Sequence, residues 1–367
     1  MATNKKIPKC PPLRFPQFND QWKFATISEV CKTSTGSMNT QDKIEGGAYP
    51  FYVRSSTIER ANKYTYDGIA ILTPGDGAIG KVFHYSEGKI AVHQRVYILS
   101  DITIGTKYLF YYFSDKFYNR VMRLSAKNTV DSVRMNMITD MPISLPSLAE
   151  QEKIAGFLSL IDERIQLCSE TIKERKREKV ALLNQLFSQK LRFPQFLDEW
   201  QQTTLGEICT IKTGKLDANA MIEGGRYPFF TCAKQTYQTD TYSFSGEAIL
   251  VAGNGEVGLT KYYNGKFNAY QRTYVLQSLR RDIILRLIRN YIDHALPKRI
   301  VSLLNGSAMP YITLSTLRDM PLSLPSLAEQ KKIADFLSLI DERIEVEEEL
   351  LKQYEMQKKY LLRQMFI

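Results

Sequence analysis

The 367-residue chain has no apolar run of membrane-spanning length, no paired-cysteine pattern and only three histidines. A spanning helix needs about 20 consecutive apolar residues, and the basic tail of residues 1–12 lacks the apolar stretch of a secretory signal. The five cysteines are scattered and never spaced as CxxC, which argues against a disulfide framework and predicts reduced thiols. The histidines show no metal-ligand spacing. We therefore predict a cytoplasmic protein without a metal centre or membrane contact.

A nucleotide-binding loop is also missing, although one segment comes close to its pattern. In the segment GDGAIGKV, Val82 stands where a P-loop needs Ser or Thr to hold magnesium, and strand-like residues follow. The corresponding residues 253–260 lack the lysine. We predict instead a glycine turn between two strands, which could let the backbone approach DNA closely. Asp76 and Glu87 are single carboxylates that nothing pairs, and we interpret them as turn and surface residues.

The charge balance is basic, with 49 Lys and Arg against 39 Asp and Glu, a net charge of +10. Lysine and arginine displace counterions from a phosphate backbone, so a basic balance favours a polyanionic partner. Because many basic proteins bind no nucleic acid, this observation alone does not decide the function.

The chain consists of two copies of one plan. The motif LRFPQF occurs twice unchanged, and a 25-residue segment recurs with three differences. A period this long exceeds the roughly 20 to 50 residues of a solenoid repeat, so we predict a duplicated domain pair. The matching segments are residues 13–18 and 191–196, Trp22 and Trp200, Glu45–Phe51 and Glu223–Phe229, Gln94–Arg95 and Gln271–Arg272, and residues 141–165 and 320–344.

Each copy begins with a globular part of mixed α/β (α+β) character. Short alternating runs predict strands and hairpins, and a helix-like stretch follows in each copy. The predicted strands are Ala70–Thr73, Lys81–Tyr85, Arg95–Leu99, Ala248–Val251 and Arg272–Leu276, and the predicted helices are residues 107–124 and 282–304. The domains expected are therefore the tail 1–12, globular parts 13–145 and 191–324, and helical segments 146–190 and 325–367.

A long helix is predicted at the end of each copy. Ser147 and Ser326 are the expected N-caps, and Glu150 and Glu329 stand at the capping-box position. Apolar residues then alternate at spacings of four and three, the pattern of a coiled-coil seam. The seam residues are Ile154, Leu158, Ile161, Ile165, Ile172, Leu182, Leu186, Ile333, Leu337, Ile340, Ile344, Leu351, Tyr354, Leu361 and Met365.

Two arrangements of these helices are open. Each helix could pack on its own domain, but two seams of matching length can also bury each other, which we favour. The basic run of residues 173–179 would meet acidic residues in an antiparallel pair, and a parallel pair gives a similar match. About 40 residues at 1.5 Å each give a rod of roughly 60 Å.

The duplicated signature LPSLAEQ-KIA-FLSLIDERI, at residues 145–165 and 324–344, resembles the specificity (S) subunit of type I restriction–modification enzymes. The resemblance covers nearly the whole chain. It implies two target recognition domains, each reading one half of an interrupted double-stranded DNA site, held apart by an antiparallel coiled coil. It also implies that the chain has no cofactor and no chemistry of its own. Two modification (M) subunits would bring S-adenosylmethionine, and restriction (R) subunits, recruited through M, would bring ATP and Mg.

Residues that contact DNA are predicted from diverged polar segments and from exposed basic positions. Gln94–Arg95 and Gln271–Arg272 recur identically, which favours phosphate positioning or a structural hydrogen bond over base reading. The first part contributes Arg54, Ser55, Lys63, Lys81, Gln94, Arg95, Lys127, Asn128 and Arg134. The second contributes Thr231, Lys234, Lys261, Gln271, Arg272, Lys298, Arg299, Asn305, Ser307 and Tyr311.

Two other functions are weighed against this one. A self-sufficient nuclease or methyltransferase is disfavoured, because the sequence has no Asn or Asp followed by Pro-Pro-aromatic, the motif expected for extruding a target adenine. A coiled-coil adaptor that binds only protein is the other alternative. We therefore predict a non-catalytic DNA specificity subunit.

Overall fold

The structure is a computed structural model that describes residues 10–124, 132–303 and 311–367. Residue contacts divide the chain into two units. Unit 1 comprises the residues up to Ser169 together with Glu349–Ile367, and unit 2 comprises Glu170–Glu348. Each unit therefore contains one globular part and segments of both long helices.

The first copy of the repeat is built from short strands followed by helices. The strands are β1 (Lys23–Thr26), β2 (Lys32–Thr35), β3 (Tyr49–Tyr52), β4 (Ile58–Ala61), β5 (Tyr66–Asp67), β6 (Ala70–Pro74), β7 (His84–Ser86), β8 (Lys89–Val92), β9 (Val96–Ser100) and β10 (Pro142–Leu145). The helices are α1 (Ile27–Val30), α2 (Thr106–Leu124), α3 (Met135–Thr139) and α4 (Leu148–Phe187).

The second copy repeats this order. The strands are β11 (Gln201–Thr204), β12 (Cys209–Thr213), β13 (Tyr227–Phe230), β14 (Thr236–Thr239), β15 (Phe244–Ala252), β16 (Thr260–Ala269), β17 (Thr273–Ser278) and β18 (Pro321–Leu324). The helices are α5 (Leu205–Ile208), α6 (Leu285–Leu303), α7 (Leu314–Arg318) and α8 (Leu327–Met365).

The sheets of the two copies correspond. In unit 1 the strand orders are β2-β9-β6-β7 and β4-β3-β8-β5, and in unit 2 the longer β15 and β16 join the equivalent strands in the order β12-β17-β15-β16-β13-β14. The pairs β3–β8 and β13–β16 are parallel. The mixed helix and strand content predicted from the sequence is confirmed, although the predicted strand Lys81–Tyr85 is ordered as a strand only from His84.

The glycine-rich segment forms a turn between strands in each copy. It connects β6 to β7 in unit 1 and β15 to β16 in unit 2. Gly77 and Gly80 have φ of 68° and 62°, and Gly255 and Gly258 have φ of 62° and 83°. Side chains other than glycine rarely adopt this conformation, so the glycines serve the turn. The prediction of a glycine turn rather than a P-loop is confirmed, because a strand follows where a P-loop needs a helix.

Helix α2 connects the globular part of unit 1 to its long-helix segments. Its buried aromatic face includes Tyr108, Phe113 and Phe117, which share one core with the sheet and with Leu158 of α4. The C-terminal end of α8 joins this core, because Phe366 packs against Tyr108 with ring centroids 5.4 Å apart. The long helices and the globular part of unit 1 therefore share one apolar core.

Unit 2 uses the same plan with aliphatic residues. Helix α6 buries Ile288 and Ile292 against the sheet. On its other side Leu287 packs with Leu183 of α4 and Leu337 of α8. Each globular part is therefore packed directly on the helix segments of its own unit.

The long helices run antiparallel in each unit. In unit 2, Lys179 bonds to Asp341 and Lys176 to Glu348, each at 2.5 Å, so later residues of α4 meet earlier residues of α8. In unit 1, Lys358 bonds to Asp162 at 2.5 Å. Lys179 and Lys358 are equivalent in the repeat, as are Asp341 and Asp162. The same ion pair between the two helices therefore occurs once in each unit.

The seam of the two helices is buried along most of its length. Ile165, Ile340, Leu351 and Tyr354 are half-buried, and most other predicted seam residues are buried. Leu182 is also half-buried, whereas its neighbour Leu183, which was not predicted to lie in the seam, is buried. The reason is that Leu183 faces the globular core of unit 2 as well as α8. Among the described residues, no helix has the length and apolar character of a membrane span.

A pair of Arg–Glu contacts explains why the LRFPQF motif is repeated. Arg14 binds both carboxylate oxygens of Glu150 at 2.7 and 2.8 Å, and Arg192 binds both of Glu329 at 2.8 Å. Both glutamates are buried, and Glu150 raises the pKa of the Arg14 guanidinium through this hydrogen bond. The capping-box interpretation is therefore wrong for these carboxylates. Only its serine half is seen in unit 1, where the Glu150 amide donates to Ser147 Oγ at 3.4 Å.

Candidate nucleic-acid interface

Two of the predicted DNA-binding residues of unit 1, Arg54 and Arg95, lie where two parallel strands end. Arg54 follows β3 and Arg95 follows β8, so both lie beyond the carboxyl ends of paired strands. The glycine turn is fastened beside them, because the Gly75 amide donates to the Arg95 carbonyl at 2.8 Å. The Val133 amide donates to the Gly75 carbonyl at 2.7 Å, which brings the neighbouring Arg134 to the same turn.

Asp76, in the glycine turn, joins the two arginines. Its Oδ2 lies 3.3 Å from Nη1 of Arg54 and 3.3 Å from Nη1 of Arg95. The Asp76 side chain is 14% exposed, whereas the arginines are 47% and 61% exposed. The expectation that nothing pairs Asp76 is therefore wrong. We call Arg54, Asp76 and Arg95 the arginine cluster, which carries one net positive charge and presents guanidinium groups to solvent.

A neutral His93 binds the backbone of this cluster at Arg95. The ring is buried, and its Nδ1 accepts from the Arg95 amide at 3.1 Å. Burial, followed by the charge of Arg54, lowers the pKa of His93. With Nδ1 used as an acceptor, the proton is on Nε2, which faces Thr40 Oγ1 at 3.4 Å. One ring nitrogen thus binds the Arg95 backbone, and the other contacts the Thr40 hydroxyl.

A cleft of about 440 Å³ opens beside the arginine cluster. An ion pair between Lys43 and Glu59 at 2.8 Å lies in its wall. The full lining comprises Thr40, Lys43, Val53, Arg54, Ser55, Glu59 and Gly77. Five of these seven residues carry a hydroxyl or a charged group.

Unit 2 builds the same backbone with different side chains. The Gly253 amide donates to the Arg272 carbonyl at 2.9 Å, and the Ile312 amide donates to the Gly253 carbonyl at 2.9 Å. However, Cys232 takes the place of Arg54, and Asn254 takes the place of Asp76. Within the described part of the chain, no carboxylate pairs with Arg272. The two Gln-Arg dipeptides are therefore identical in sequence but not in environment.

Three predicted DNA contacts of unit 2 bond within their own unit. Arg299 donates from Nε to the Thr316 carbonyl at 2.9 Å and from Nη2 to the Asp319 carbonyl at 3.1 Å. Lys261 donates to the Gln235 carbonyl at 3.1 Å, and burial lowers its pKa. Lys298 lies 3.5 Å from Oδ1 of Asn184. These contacts give the three side chains a structural role that their sequence positions did not reveal.

The remaining predicted residues lie mostly at the surface. Lys63, Lys81, Gln94, Arg134, Lys234, Gln271, Arg272 and Tyr311 are exposed, and Ser55 and Thr231 are half-buried. Gln94 donates to Asn39 Oδ1 at 2.7 Å, so it is partly engaged. The predicted residues Lys127, Asn128, Asn305 and Ser307 lie outside the described residues. Within the described part, no group of His, Cys, Asp and Glu is arranged to hold a metal ion.

Sequence reasoning found the arginines but missed the carboxylate that organises them. A comparison of GDG in the first copy with GNG in the second would have drawn attention to Asp76, because a charge differs at a matched position. That difference indicates a site only once the ends of β3 and β8, which carry Arg54 and Arg95, are known to lie beside the glycine turn. That proximity is a tertiary feature.

A family model described as the type I restriction modification DNA specificity domain matches residues 19–176 and 197–356. The chain belongs to this family. Both matches include one globular part and the first portion of the long helix that follows it, so the resemblance found in the sequence is confirmed.

Similar proteins of known type agree with this membership. A type I restriction enzyme EcoDI specificity subunit from Escherichia coli is 40% identical over 157 residues, which cover 42% of this chain and 34% of that protein. The alignment thus spans about a third of that relative. The MjaVIII specificity subunit from Methanocaldococcus jannaschii is 25% identical, covering 95% of this chain and 92% of that protein.

Solved structures show the same fold. The type I restriction-modification S subunit from M. genitalium superposes with a TM-score of 0.71 at 19% identity, covering 98% of this chain and 99% of that chain. A second chain, from a structure concerned with complex assembly and conformational transition of the type I R-M system, gives a TM-score of 0.54 at 17% identity. It covers 96% of this chain and 98% of that chain.

Proposed function

We propose that this chain is the non-catalytic DNA sequence-specificity subunit of a type I restriction–modification system. Each globular part reads one half of a bipartite, gapped double-stranded site. The observation that carries this proposal is the contrast between the two units. The segments that begin their long helices, residues 141–165 and 320–344, are nearly identical, whereas the residues at the glycine turns differ in charge.

The helices supply the spacing in this proposal. Helix α4 contains 40 residues, which gives a length of about 60 Å. Two readers on one side of a duplex need to be about 34 to 36 Å apart, or a multiple of this distance. The buried seam residues and the ion pairs between the helices within each unit support this role. Two half-sites read by different side chains would form an asymmetric target.

The partners in this proposal are two M subunits, with R subunits bound through them. The duplicated helices carry exposed leucines at equivalent positions, Leu160 at 60% and Leu339 at 59% exposure. Equivalent apolar positions on each helix suit two copies of the same protein partner. S-adenosylmethionine, ATP and Mg then belong to those partners. A role on chromosomal DNA assigns the chain to the cytoplasm.

A DNA titration in the presence of the M subunit tests the proposal. We expect binding to double-stranded DNA that weakens steeply between 50 and 200 mM salt, because each phosphate contact releases counterions. Mapping methylated adenines in cells with and without the chain should reveal one bipartite motif that depends on it.

Two results would favour the alternatives. Binding that ignores salt, or no binding with the M subunit present, would support a protein-binding adaptor. Methylation of DNA by the purified chain with S-adenosylmethionine alone would support a self-sufficient methyltransferase.

A further inference from the structure

Arg54 and Arg95, which follow two different strands, both contact Asp76. A surface that is merely basic would not require such a shared carboxylate. One carboxylate oxygen receives both guanidinium groups at 3.3 Å. The other, Asp76 Oδ1, is buried and has no hydrogen-bond partner among the described residues. The two arginines therefore supply the counter-charge to Asp76, and they remain the exposed members of the group.

From this geometry we infer that Asp76 positions Arg54 and Arg95 to read a guanine in the half-site of unit 1. The inference rests on the proposed function and adds the base class that this reader recognises. Guanine presents O6 and N7 as two acceptors in the major groove, and a guanidinium matches them with two parallel donors. A guanidinium held at one nitrogen loses less conformational freedom when its other donors meet a base.

Base reading explains the difference between the units better than phosphate contact does. A phosphate contact carries no sequence information, so both readers could keep the same residues for it. Here Arg95 and Arg272 are the same residue, but Asp76 is replaced by Asn254 and Arg54 by Cys232. The change removes the charged acceptor and one arginine together, as a change in the base that is read would require.

The local backbone is rigid enough for such reading. The Arg95 amide is bound to His93, and its carbonyl accepts from the Gly75 amide. Asp76 follows Gly75 directly, so the carboxylate and one of its arginines share a single hydrogen-bonded frame. A side chain carried on such a frame can discriminate between bases by position.

The test is a genome-wide map of methylated adenines in cells that carry this chain with its M subunit as wild type, Asp76→Asn, Asp76→Glu or the control Asp67→Asn. The control makes the same charge change at β5, whose Asp67 pairs in register with Lys89. Lys89 begins β8, whereas Arg95 lies beyond the opposite end of that strand. Melting temperatures of all four chains accompany the maps.

We expect Asp76→Asn to lower the preference for guanine at one position of one half-site by at least tenfold. The other half-site should be unchanged, which also shows that the complex is intact. Asp76→Glu should restore part of the preference, and Asp67→Asn should match wild type. The tenfold figure corresponds to the roughly 1 to 3 kcal/mol that a bidentate arginine–guanine contact is worth.

Three outcomes would overturn the inference. An unchanged motif in Asp76→Asn means that Asp76 does not position a base reader. A uniform fall in methylation without a change of motif means that the arginines contact phosphates. A wild-type chain that directs no bipartite motif refutes the proposed function and the inference with it, which separates that failure from the other two.

Discussion

At the scale of single residues, buried charges tie distant parts of the chain together. Arg14 and Glu150 are 136 positions apart, yet both nitrogens of one guanidinium edge bond to both carboxylate oxygens. Gln151, the next residue, accepts from the Gly105 amide at 2.8 Å, and Gln330 accepts from the Ile284 amide at 3.0 Å. The repeated Glu-Gln pair therefore binds the LRFPQF segment and the globular part to the start of each long helix.

Glu150→Gln should destabilise the protein, because the amide leaves the nearly buried Arg14 without a counter-charge. We expect the melting temperature to fall by roughly 5 °C or more, measured by differential scanning calorimetry. Glu152→Gln makes the same charge change at an exposed position and should shift the melting temperature little. Equal shifts in both variants would contradict a special role for the Arg14 contact.

The three histidines predict a pH dependence of stability. Burial lowers the pKa of His84, His93 and His294 in the folded protein. The unfolded chain therefore binds more protons once the pH falls below about 6.5, and stability declines from that point downwards. Urea unfolding between pH 7.5 and 5.5 should show this decline, and His93→Gln should make it shallower. Stability that rises as the pH falls through this range would show that the histidines are not neutral in the folded state.

At the scale of elements, the long helices act through their buried seam. Leu158 of α4 and Leu337 of α8 are equivalent in the repeat, and both are 0% exposed. They lie in the cores that join each globular part to its helix segments. In each unit the two helices pack antiparallel, as their ion pairs show. The spacing of apolar residues alone did not distinguish this arrangement from a parallel one.

Leu158→Ala and Leu337→Ala should each cost about 2 to 5 kcal/mol, because a cavity opens in a closely packed core. Leu160→Ala, two positions along α4 and 60% exposed, should cost within about 0.5 kcal/mol. Chemical unfolding of the three variants compares them directly. A loss in Leu160→Ala as large as in Leu158→Ala would mean that the buried seam has been assigned to the wrong face.

At the scale of the whole molecule, the duplication predicts modular specificity. Replacing residues 13–145 with another reader of this family should change only one half of the methylated site, since unit 2 keeps its own glycine turn. The adenine methylation map of the hybrid is the measurement. A change in both halves would show that the readers are not independent.

Much of the fold could be predicted from the sequence, because its signals are local or repeated. The spacing of apolar residues located α4 and α8 within a few residues of their observed ends. Glycine and strand patterns identified the turn, and the internal repeat revealed the duplication. The duplicated LPSLAEQ signature was sufficient to indicate the family.

The partners of individual side chains were decided by tertiary structure alone. Glu150 has capping-box spacing but binds an arginine far away in the chain, and Leu183 is buried because α4 meets a globular core at that point. Asp76 and the two arginines belong to three separate segments that only the sheets and the glycine turn bring together. Local periodicity is set by neighbours along the chain, whereas ion pairs and reading surfaces depend on which distant segments meet. For that reason the sequence determined the architecture and the family, and the fold determined which charges act together.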